Sequence, residues 1–337
     1  MVNVLVTGGA GFIGSNFVRY ALGAHPDWQI TNLDKLTYAG RKETLNDVSG
    51  NQRHTFVHGD VADAQVAAPL VKAADIVVHF AAETHVDRAI LEAGEFIKTD
   101  VIGTFVLLEA ARTSQNLRCF IQISTDEVYG SVAEGSSVET DELRPRNPYS
   151  ASKAGADRLA YSYWATYNVP VMVTRASNNY GPYQFPEKVI PLFITNALDN
   201  IPVPLYGAGL NIRDWLHVSD HCRGIDTVIG RGKAGDTYNI GGGNEVRNVD
   251  LTHALLKLAD RPESLIKNVQ DRPGHDVRYS LDTAKLRKLG WTPRVAFEDG
   301  LKETVDWYRQ NEWWWRPIKE NDPAFRVYYR AQYGSRA

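Results

Sequence analysis

The chain has 337 residues, a formal net charge of −3 at neutral pH, 43% hydrophobic residues and 23% charged residues. This length predicts a large core shared between two lobes, and the composition is ordinary for a globular protein. The slight acidity excludes an overall field that attracts nucleic acid or an anionic membrane, so phosphate binding falls to individual basic residues.

Short apolar runs alternate with helical patterns along the first half of the chain. They predict strands at residues 2–6, 29–33, 55–58, 76–80, 119–123 and 171–175, with helices at 13–22, 64–72, 96–114 and 148–167. This alternation is typical of a parallel sheet covered by helices on both faces. We therefore expect a domain at 1–176 and a smaller α/β lobe at 177–337, some of whose segments return to the large sheet.

A glycine-rich loop follows the first strand and opens the first helix. Gly8, Gly11 and Gly14 have the spacing that allows a tight turn, close approach of a pyrophosphate and close helix packing. Asp34 follows the second strand, where a carboxylate accepts from ribose hydroxyls and repels a 2′-phosphate. The loop predicts a Rossmann-type, doubly wound α/β domain that binds NAD in preference to NADP, although the neighbouring Lys35 weakens that preference.

Two further strand ends offer candidate cofactor contacts. Asp60 and Val61 follow the third strand, where an acidic residue suits the adenine edge. Ala81 and Ala82 follow the fourth, where small residues let the cofactor cross the sheet. Considered alone, each pair is equally well explained as ordinary loop sequence.

Tyr149 and Lys153 are four residues apart on a predicted helix and therefore project from one face. An ammonium beside a phenol favours the phenolate and lowers its pKa, which predicts a base for a sugar hydroxyl that gives hydride to NAD. Thr125, at the end of the preceding strand, is placed to orient that hydroxyl. The same pair is common on solvated helices, but the glycine loop and Thr125 favour the catalytic interpretation.

Asp126 and Glu127 follow Thr125 directly, in the sequence Ser-Thr-Asp-Glu-Val-Tyr-Gly. Hydride transfer needs one base, so two more carboxylates indicate an elimination with one protonated donor and one ionised base. An acid pair at a strand end is as readily a loop cap or a solvated pair when considered alone.

A nucleoside diphosphate requires cationic donors, and the fork of an arginine suits phosphate. Candidates for binding a sugar nucleotide are Arg213 and Arg272, with Asn179, Lys188, Asn248 and His275 around them and Tyr206 stacking on the base. His85 either faces the hexose or is a structural hydrogen-bonding residue.

Together these motifs resemble the extended short-chain dehydrogenase/reductase family and, within it, the dTDP-glucose 4,6-dehydratases. Residues 33–40, 79–88, 177–188, 211–215 and 271–276 extend the resemblance over nearly the whole chain. It implies that Asp126 is the acid for the departing C6 hydroxyl of dTDP-glucose and that Glu127 is the base at C5. It further implies NAD contacts from Phe12, Ile13, Thr37, Thr99, Asn178, Tyr149 and Lys153, and substrate contacts from Thr84, Glu187 and Val189.

The helices at 96–114 and 148–167 are too apolar for two solvated faces. Paired across a twofold axis they bury that surface as a four-helix interface, as the family's dimers do, so we expect a homodimer. Cys119 and Cys222 are too few for a disulfide framework and lack metal-ligand spacing. Without a signal-peptide or membrane-spanning pattern, a cytoplasmic enzyme without a metal is expected.

Three alternatives remain open at this stage. The resemblance also accommodates a nucleotide-sugar 4-epimerase, or a 4,6-dehydratase that acts on another nucleotide sugar. From a different class, the chain is interpretable as an NAD-sensing binding protein without catalysis, against which the set Thr125, Tyr149 and Lys153 argues.

Overall fold

The computed structural model describes residues 1–271 and 275–334. The strands are β1 (Val2–Thr7), β2 (Trp28–Asp34), β3 (His54–His58), β4 (Ile76–His79), β5 (Cys119–Thr125), β6 (Val171–Ala176), β7 (Asn178–Tyr180), β8 (Val203–Tyr206), β9 (Ile212–His217), β10 (Thr237–Ile240), β11 (Glu245–Arg247) and β12 (Ile266–Val269). The helices are α1 (Phe12–Ala24), α2 (Ala64–Ala73), α3 (Val86–Leu91), α4 (Gly94–Phe96), α5 (Thr104–Arg112), α6 (Pro148–Tyr167), α7 (Val189–Leu198), α8 (Val218–Arg231), α9 (Asn248–Leu258), α10 (Ala284–Lys288), α11 (Phe297–Gln310), α12 (Glu312–Asn321) and α13 (Pro323–Tyr329).

Seven parallel strands form one sheet in the order β10-β6-β5-β4-β1-β2-β3. The strand order reverses between β1 and β4, and α/β proteins bind ligands outside the carboxyl ends of the strands at such a switch point. The predicted doubly wound fold is therefore confirmed. Strand β10 comes from the C-terminal half of the chain and returns to the large sheet, while the division at residue 176 stays a prediction.

Helices cover both faces of the large sheet, which explains why all seven residues of β5 are buried. On one face, Phe17 of α1 and Ile225 of α8 belong to one apolar cluster. On the other face, Leu107 of α5 and Ala160 of α6 belong to a second cluster. Each large apolar side chain buried in this way contributes roughly 1.5–3 kcal/mol, and together they fix the positions of the strand ends.

The smaller lobe has an apolar core of its own. Its strands form a sheet in the order β11-β9-β7 and a parallel pair, β12-β8. Trp215 on β9, Tyr308 on α11 and Trp315 on α12 are buried in the same cluster. The tryptophan-rich tail thus packs this lobe, although Trp313 is half exposed.

The predicted helix at 96–114 is confirmed as helical but not as a regular α-helix. Residues Ile97–Gly103 form a π-helical segment between α4 and α5. An added Cβ at Gly103 would lie 2.7 Å from Cγ2 of Val61, so this turn packs closely on the residues after β3. The wider π-turn buries Thr99 and Asp100, as is frequent where a helix serves a functional site.

Within the described part of the chain, no helix has the length and apolarity needed to cross a bilayer.

Candidate active site

A cleft lies at the carboxyl ends of the strands, where the strand order reverses. It is bordered by the glycine loop after β1, by the residues that follow β2, β3, β4, β5 and β6, by residues 184–188 and by His221. The cleft therefore gathers residues from most of the motifs that the sequence singled out.

The glycine loop is held in a shape that only glycine allows at two positions. Gly8 has a φ of +71°, and a Cβ there would lie 2.6 Å from the backbone nitrogen of Ala81. A Cβ at Gly14 would lie 2.3 Å from the carbonyl oxygen of Gly8. Because side chains are excluded, the backbone amides and the start of α1 border the cleft directly, which suits a diphosphate.

Asp34 is anchored at the end of β2 by two backbone amides. Its Oδ2 accepts from the nitrogen of Ala10 at 2.8 Å, and its Oδ1 accepts from the nitrogen of Leu36 at 2.8 Å. Burial raises the pKa of the carboxyl, and the two amides oppose that rise. Lys35 forms an ion pair with Asp60, with 2.8 Å between Nζ and Oδ2, so Asp60 balances its positive charge. The preference for ribose hydroxyls over a 2′-phosphate is thereby strengthened.

Every residue that the sequence proposed for NAD borders this one cleft. These residues are Gly8, Gly11, Phe12, Ile13, Gly14, Asp34, Lys35, Thr37, Asp60, Val61, Ala81, Ala82, Thr99, Tyr149, Lys153 and Asn178. The glycine cradle and the anchored carboxylate fit a dinucleotide, although the individual contacts stay predictions.

Thr125, Asp126 and Glu127 end β5 and begin a 3-10 turn that Thr125 caps. The Thr125 hydroxyl donates to Oδ1 of Asp126 at 3.1 Å and accepts from the backbone nitrogen of Glu127 at 3.3 Å. All three border the cleft beside Tyr149. The local cap thus places a hydroxyl and two carboxyl groups at one strand end.

The two carboxyl groups have different surroundings. Asp126 is buried, and burial raises its pKa well above the usual range, with the charges of Glu127 and Asp214 adding to the rise. Glu127 is partly exposed and accepts from Nδ2 of Asn147 at 3.4 Å. The surroundings of Asp126 therefore favour the protonated form of its carboxyl.

Tyr149 and Lys153 on α6 are both buried at the cleft wall. Burial raises the pKa of Tyr149, and the nearby charge of Glu127 raises it further, while a hydrogen bond with Thr125 opposes the rise. The Lys153 ammonium donates to the carbonyl oxygen of Ile123 at 2.7 Å. The predicted lowering of the Tyr149 pKa beside Lys153 is therefore wrong for the chain's own residues, because burial and the nearby carboxylates raise that pKa.

Four predicted substrate residues border the cleft: Thr84, Asn179, Glu187 and Lys188. Nζ of Lys188 donates to the carbonyl oxygen of Thr84 at 2.5 Å. Oδ1 of Asn179 lies 2.9 Å from Nδ1 of His221. These contacts join Lys188 to Thr84 and Asn179 to His221 along the cleft wall.

The other predicted substrate residues do not border the cleft. They are His85, Val189, Tyr206, Arg213, Asn248 and His275, and Arg272 lies outside the described residues. Nη2 of Arg213 donates to the carbonyl oxygen of Asp276 at 2.9 Å, with its guanidinium 4.4 Å from the Tyr279 ring. His85 is buried, with Nε2 3.4 Å from the Tyr328 hydroxyl, as in the structural alternative.

Three polar residues near the cleft were missed from the sequence. Glu83 and His221 border the cleft, and Asp100 accepts from the Glu83 backbone nitrogen at 2.9 Å. Burial raises the pKa of Asp100 to about 6, and burial together with Asp100 raises that of Glu83 to about 7. Glu83 stands in the strand-end motif that was quoted, so its position there was an available signal. No such signal was available in the sequence for Asp100, because the burial of this residue depends on the π-turn.

Among residues 1–271 and 275–334, no group of three or more His, Cys, Asp or Glu side chains is arranged to hold a metal ion.

Comparison with known proteins gives consistent matches over nearly the whole chain. The family model described as GDP-mannose 4,6 dehydratase matches residues 5–304. The dTDP-glucose 4,6-dehydratase of Streptomyces niveus is 52% identical over 328 residues, covering 96% of this chain and 97% of that protein. The protein of the same name from Xanthomonas campestris pv. campestris (strain B100) is 48% identical over 335 residues, covering 93% and 95%.

Solved structures show the same similarity. DesIV, a dTDP-glucose 4,6-dehydratase from Streptomyces venezuelae with NAD and TYD bound, aligns with a TM-score of 0.92 and 52% identity over 94% of this chain and 100% of that one. The UDP-glucose 4-epimerase of Thermus thermophilus, in complex with NAD, aligns with a TM-score of 0.84 and 30% identity over 92% and 99%.

Proposed function

Because the chain belongs to the GDP-mannose 4,6-dehydratase family, we propose that it is an NAD-dependent lyase that converts dTDP-glucose to dTDP-4-keto-6-deoxyglucose. The relatives that carry the name dTDP-glucose 4,6-dehydratase, at up to 53% identity, support this substrate and product. The reaction is a step of nucleotide-sugar metabolism towards deoxysugars.

The observation that carries the proposal is the pair of unlike acids at the end of β5. Asp126 is buried with a raised pKa, whereas Glu127 is partly exposed, and both border the cleft beside Tyr149. Hydride transfer alone has no use for a protonated carboxyl and a second carboxylate at the same strand end. An elimination uses both.

The C4 hydroxyl of the glucose unit is oxidised first. Tyr149 takes the hydroxyl proton, and Thr125, which hydrogen-bonds with Tyr149, orients that hydroxyl. When bound, NAD would accept the hydride from C4 and later return it to C6, and it would also supply a positive ring charge in the cleft. Lys153 donates to the carbonyl oxygen of Ile123 and borders the cleft, and it is assigned to the nicotinamide ribose.

The C4 ketone makes the elimination possible, because a proton alpha to a carbonyl is acidic enough to be removed by a carboxylate. Glu127 removes the C5 proton, and Asp126 protonates the C6 hydroxyl as it leaves as water. Hydride then adds to C6 of the enone, and C5 regains a proton. The product has gained a keto group at C4 and lost a hydroxyl at C6, so the cofactor is not consumed.

For the nucleotide part of the substrate we propose the residues that the sequence singled out. Asn179, Glu187 and Lys188 border the cleft and are assigned to the hexose and diphosphate. Tyr206, Arg213, Asn248 and His275 are proposed to bind the rest of the nucleotide, and the Tyr206 and His275 rings lie 6.0 Å apart. That pair is assigned to the thymidine end.

Incubation of the purified protein with dTDP-glucose tests the function. We expect a dTDP-4-keto-6-deoxyglucose product, detected by mass spectrometry as the loss of one water and by the absorbance of the 4-keto sugar in alkali. We expect no net consumption of NAD, because the hydride that it accepts from C4 returns to C6. UDP-glucose and GDP-mannose serve as matched controls for the base.

Each alternative gives a different result in that assay. Formation of the C4 epimer with no loss of water identifies a 4-epimerase. Faster turnover of another nucleotide sugar would identify that sugar as the substrate. An absence of turnover on all three nucleotide sugars would favour the NAD-sensing alternative.

We also propose a homodimer that pairs α5 and α6 of two copies. These helices and the adjoining segment carry large apolar side chains that are 41–50% exposed, namely Ile97, Ile102, Phe105 and Tyr161. A group of this kind on two neighbouring helices is typical of an interaction surface, and a twofold axis turns it into a four-helix interface.

Replacement of Phe105 by glutamate is expected to separate the dimer, because two carboxylates would be buried without partners across the twofold axis. Light scattering after size exclusion should give twice the chain mass of 37.6 kDa for the wild type and the single mass for the variant. Ile201→Glu, at a site 39% exposed on the smaller lobe, is the control. A monomeric wild type, or a dimeric Phe105→Glu variant, would contradict the interface.

We place the enzyme in the cytoplasm. Both cysteines, Cys119 and Cys222, are buried free thiols, as proteins of reducing compartments commonly have. This assignment rests also on the nucleotide cofactor and substrate that the proposed reaction requires.

A further inference from the structure

Arg88 on α3 is the cation that contacts the carboxylate of Glu187. Its Nε donates to Oε2 of Glu187 at 2.9 Å, and its Nη2 lies 2.9 Å from the same oxygen. The Glu187 side chain is 1% exposed and borders the cleft, whereas Arg88 does not border it. Because Arg88 occupies Oε2, the buried Oε1 is the oxygen left for a donor within the cleft, with the Tyr38 phenol as a competing hydrogen-bonding group.

The guanidinium of Arg88 is itself held between two aromatic rings. Its central carbon lies 3.9 Å from the ring centroid of Tyr38 and 4.6 Å from that of Tyr328. Cation–π contacts at such distances stabilise a desolvated guanidinium and fix its plane. Tyr38 follows β2 near the glycine loop, and Tyr328 lies on α13 near the C-terminus. Arg88 thus joins distant segments of the chain behind one cleft residue.

The C-terminal helix is bound to α3 by more than this ring. The Tyr328 hydroxyl lies 3.4 Å from Oδ2 of Asp87, the neighbour of Arg88. The same Asp87 oxygen accepts from the Tyr206 hydroxyl at 3.1 Å. The position of Arg88 therefore depends on α13 as well as on α3.

We propose that Arg88, clamped between Tyr38 and Tyr328, is a positioning residue that holds the Glu187 carboxylate ionised and oriented to accept a hydroxyl of the hexose. The C-terminal helix thereby becomes part of the substrate site although it does not border the cleft. The inference rests on the proposed dehydratase function, since that reaction supplies its kinetic readout.

The charges around Glu187 agree in sign with this role. Burial raises the pKa of its carboxyl, and Arg88 is the largest influence in the opposite direction, followed by Lys188. The other titratable groups near Glu187 are the phenols of Tyr38 and Tyr328 and the imidazole of His85, whose Nε2 lies 3.5 Å from the backbone carbonyl oxygen of Glu187. Glu83 lies close to Tyr38. Removal of the Arg88 charge is therefore expected to raise the pKa of Glu187, so the ionised form exists only at higher pH.

The test compares Arg88→Met with the wild type at several pH values. A charge-assisted contact suggests that KM for dTDP-glucose rises roughly 10- to 100-fold, and we expect bound NAD to be unchanged. The acid limb of kcat/KM should shift to higher pH, which a merely structural defect would not produce. Arg88→Lys should return the acid limb of kcat/KM to its wild-type position. It should recover only part of the affinity for dTDP-glucose, because lysine lacks the forked guanidinium of arginine. Arg309→Met, which removes an exposed partner of Asp306, is the matched control.

A double-mutant cycle with Glu187→Gln decides whether Arg88 acts through Glu187. In that background Arg88→Met should change KM much less than in the wild type. Equal effects in both backgrounds, or an unmoved acid limb, overturn the inference. A wild type that does not dehydrate dTDP-glucose instead overturns the proposed function.

If Arg88→Met does not fold, the clamp is tested from the other side. Tyr328→Phe keeps the ring and should leave KM within about twofold, whereas Tyr328→Leu removes the ring and should raise KM several-fold. An equal KM in the two Tyr328 variants overturns the inference.

Discussion

Glu127→Gln should abolish exchange of the C5 proton while C4 oxidation continues. The amide keeps the size of the side chain but cannot accept the proton, and loss of a positioned general base costs roughly 10²- to 10⁴-fold in turnover. Oxidation at C4 depends on Tyr149 and Thr125, which this change leaves in place. We therefore expect reduced cofactor to accumulate on mixing with dTDP-glucose, detected by its absorbance, with little product.

Deuterium exchange separates the two carboxyl groups. In deuterated water, recovered sugar from Glu127→Gln should carry no deuterium at C5. Asp126→Asn should still exchange at C5 but release water slowly, because it lacks the buried proton donor. Glu142→Gln, on a side chain that is 78% exposed, is the control. Normal C5 exchange in Glu127→Gln would remove Glu127 from its proposed role.

The cofactor side of the cleft was predictable because it follows from local sequence. Many of the candidates stand at the end of a strand or in the glycine loop, and parallel strands bring their carboxyl ends to one edge. Gly8, Asp34, Asp60 and Ala81 therefore meet around one cleft although they are spread over more than seventy residues. The strand pattern alone was enough to place them together.

The substrate side was less predictable because it depends on tertiary contacts. Arg213 stood in a recognisable motif and Tyr206 was a candidate for stacking on the base, yet neither borders the cleft. Arg88 was part of a quoted motif, but its role depends on Tyr328, which is 240 residues away in the chain. No periodicity or spacing links such residues, so only the folded packing brings them together.

The effect of Lys153 on Tyr149 shows a further limit of sequence spacing. Residues four apart on a helix share a face, but spacing does not specify what else surrounds them. Here Lys153 donates to Ile123 of β5, while Glu127 and Asp126 lie close enough to Tyr149 to raise its pKa. Burial and neighbouring acids therefore raise the pKa of Tyr149, and the helical spacing of Lys153 does not predict that outcome.

Tyr149→Phe should remove every chemical step of the reaction, since Tyr149 is the group assigned to take the C4 hydroxyl proton and Asp126 and Glu127 are assigned to the later elimination. We expect turnover to fall by roughly 10²- to 10⁴-fold or more, the range for loss of a general base. Unlike Glu127→Gln, this variant should give no reduced cofactor on mixing with substrate, because oxidation precedes elimination. Bound NAD should persist, since the glycine loop and Asp34 are untouched.

The measurements are rapid-mixing absorbance for cofactor reduction and product analysis for turnover. Tyr161→Phe, on the same helix with a side chain 41% exposed, is the control and should turn over normally. Reduced cofactor forming at the wild-type rate in Tyr149→Phe would show that another group is the base. If every activity of the protein survived unchanged, the oxidation at C4 would not belong to this cleft. Because elimination requires the C4 ketone, the roles of Asp126 and Glu127 depend on this result.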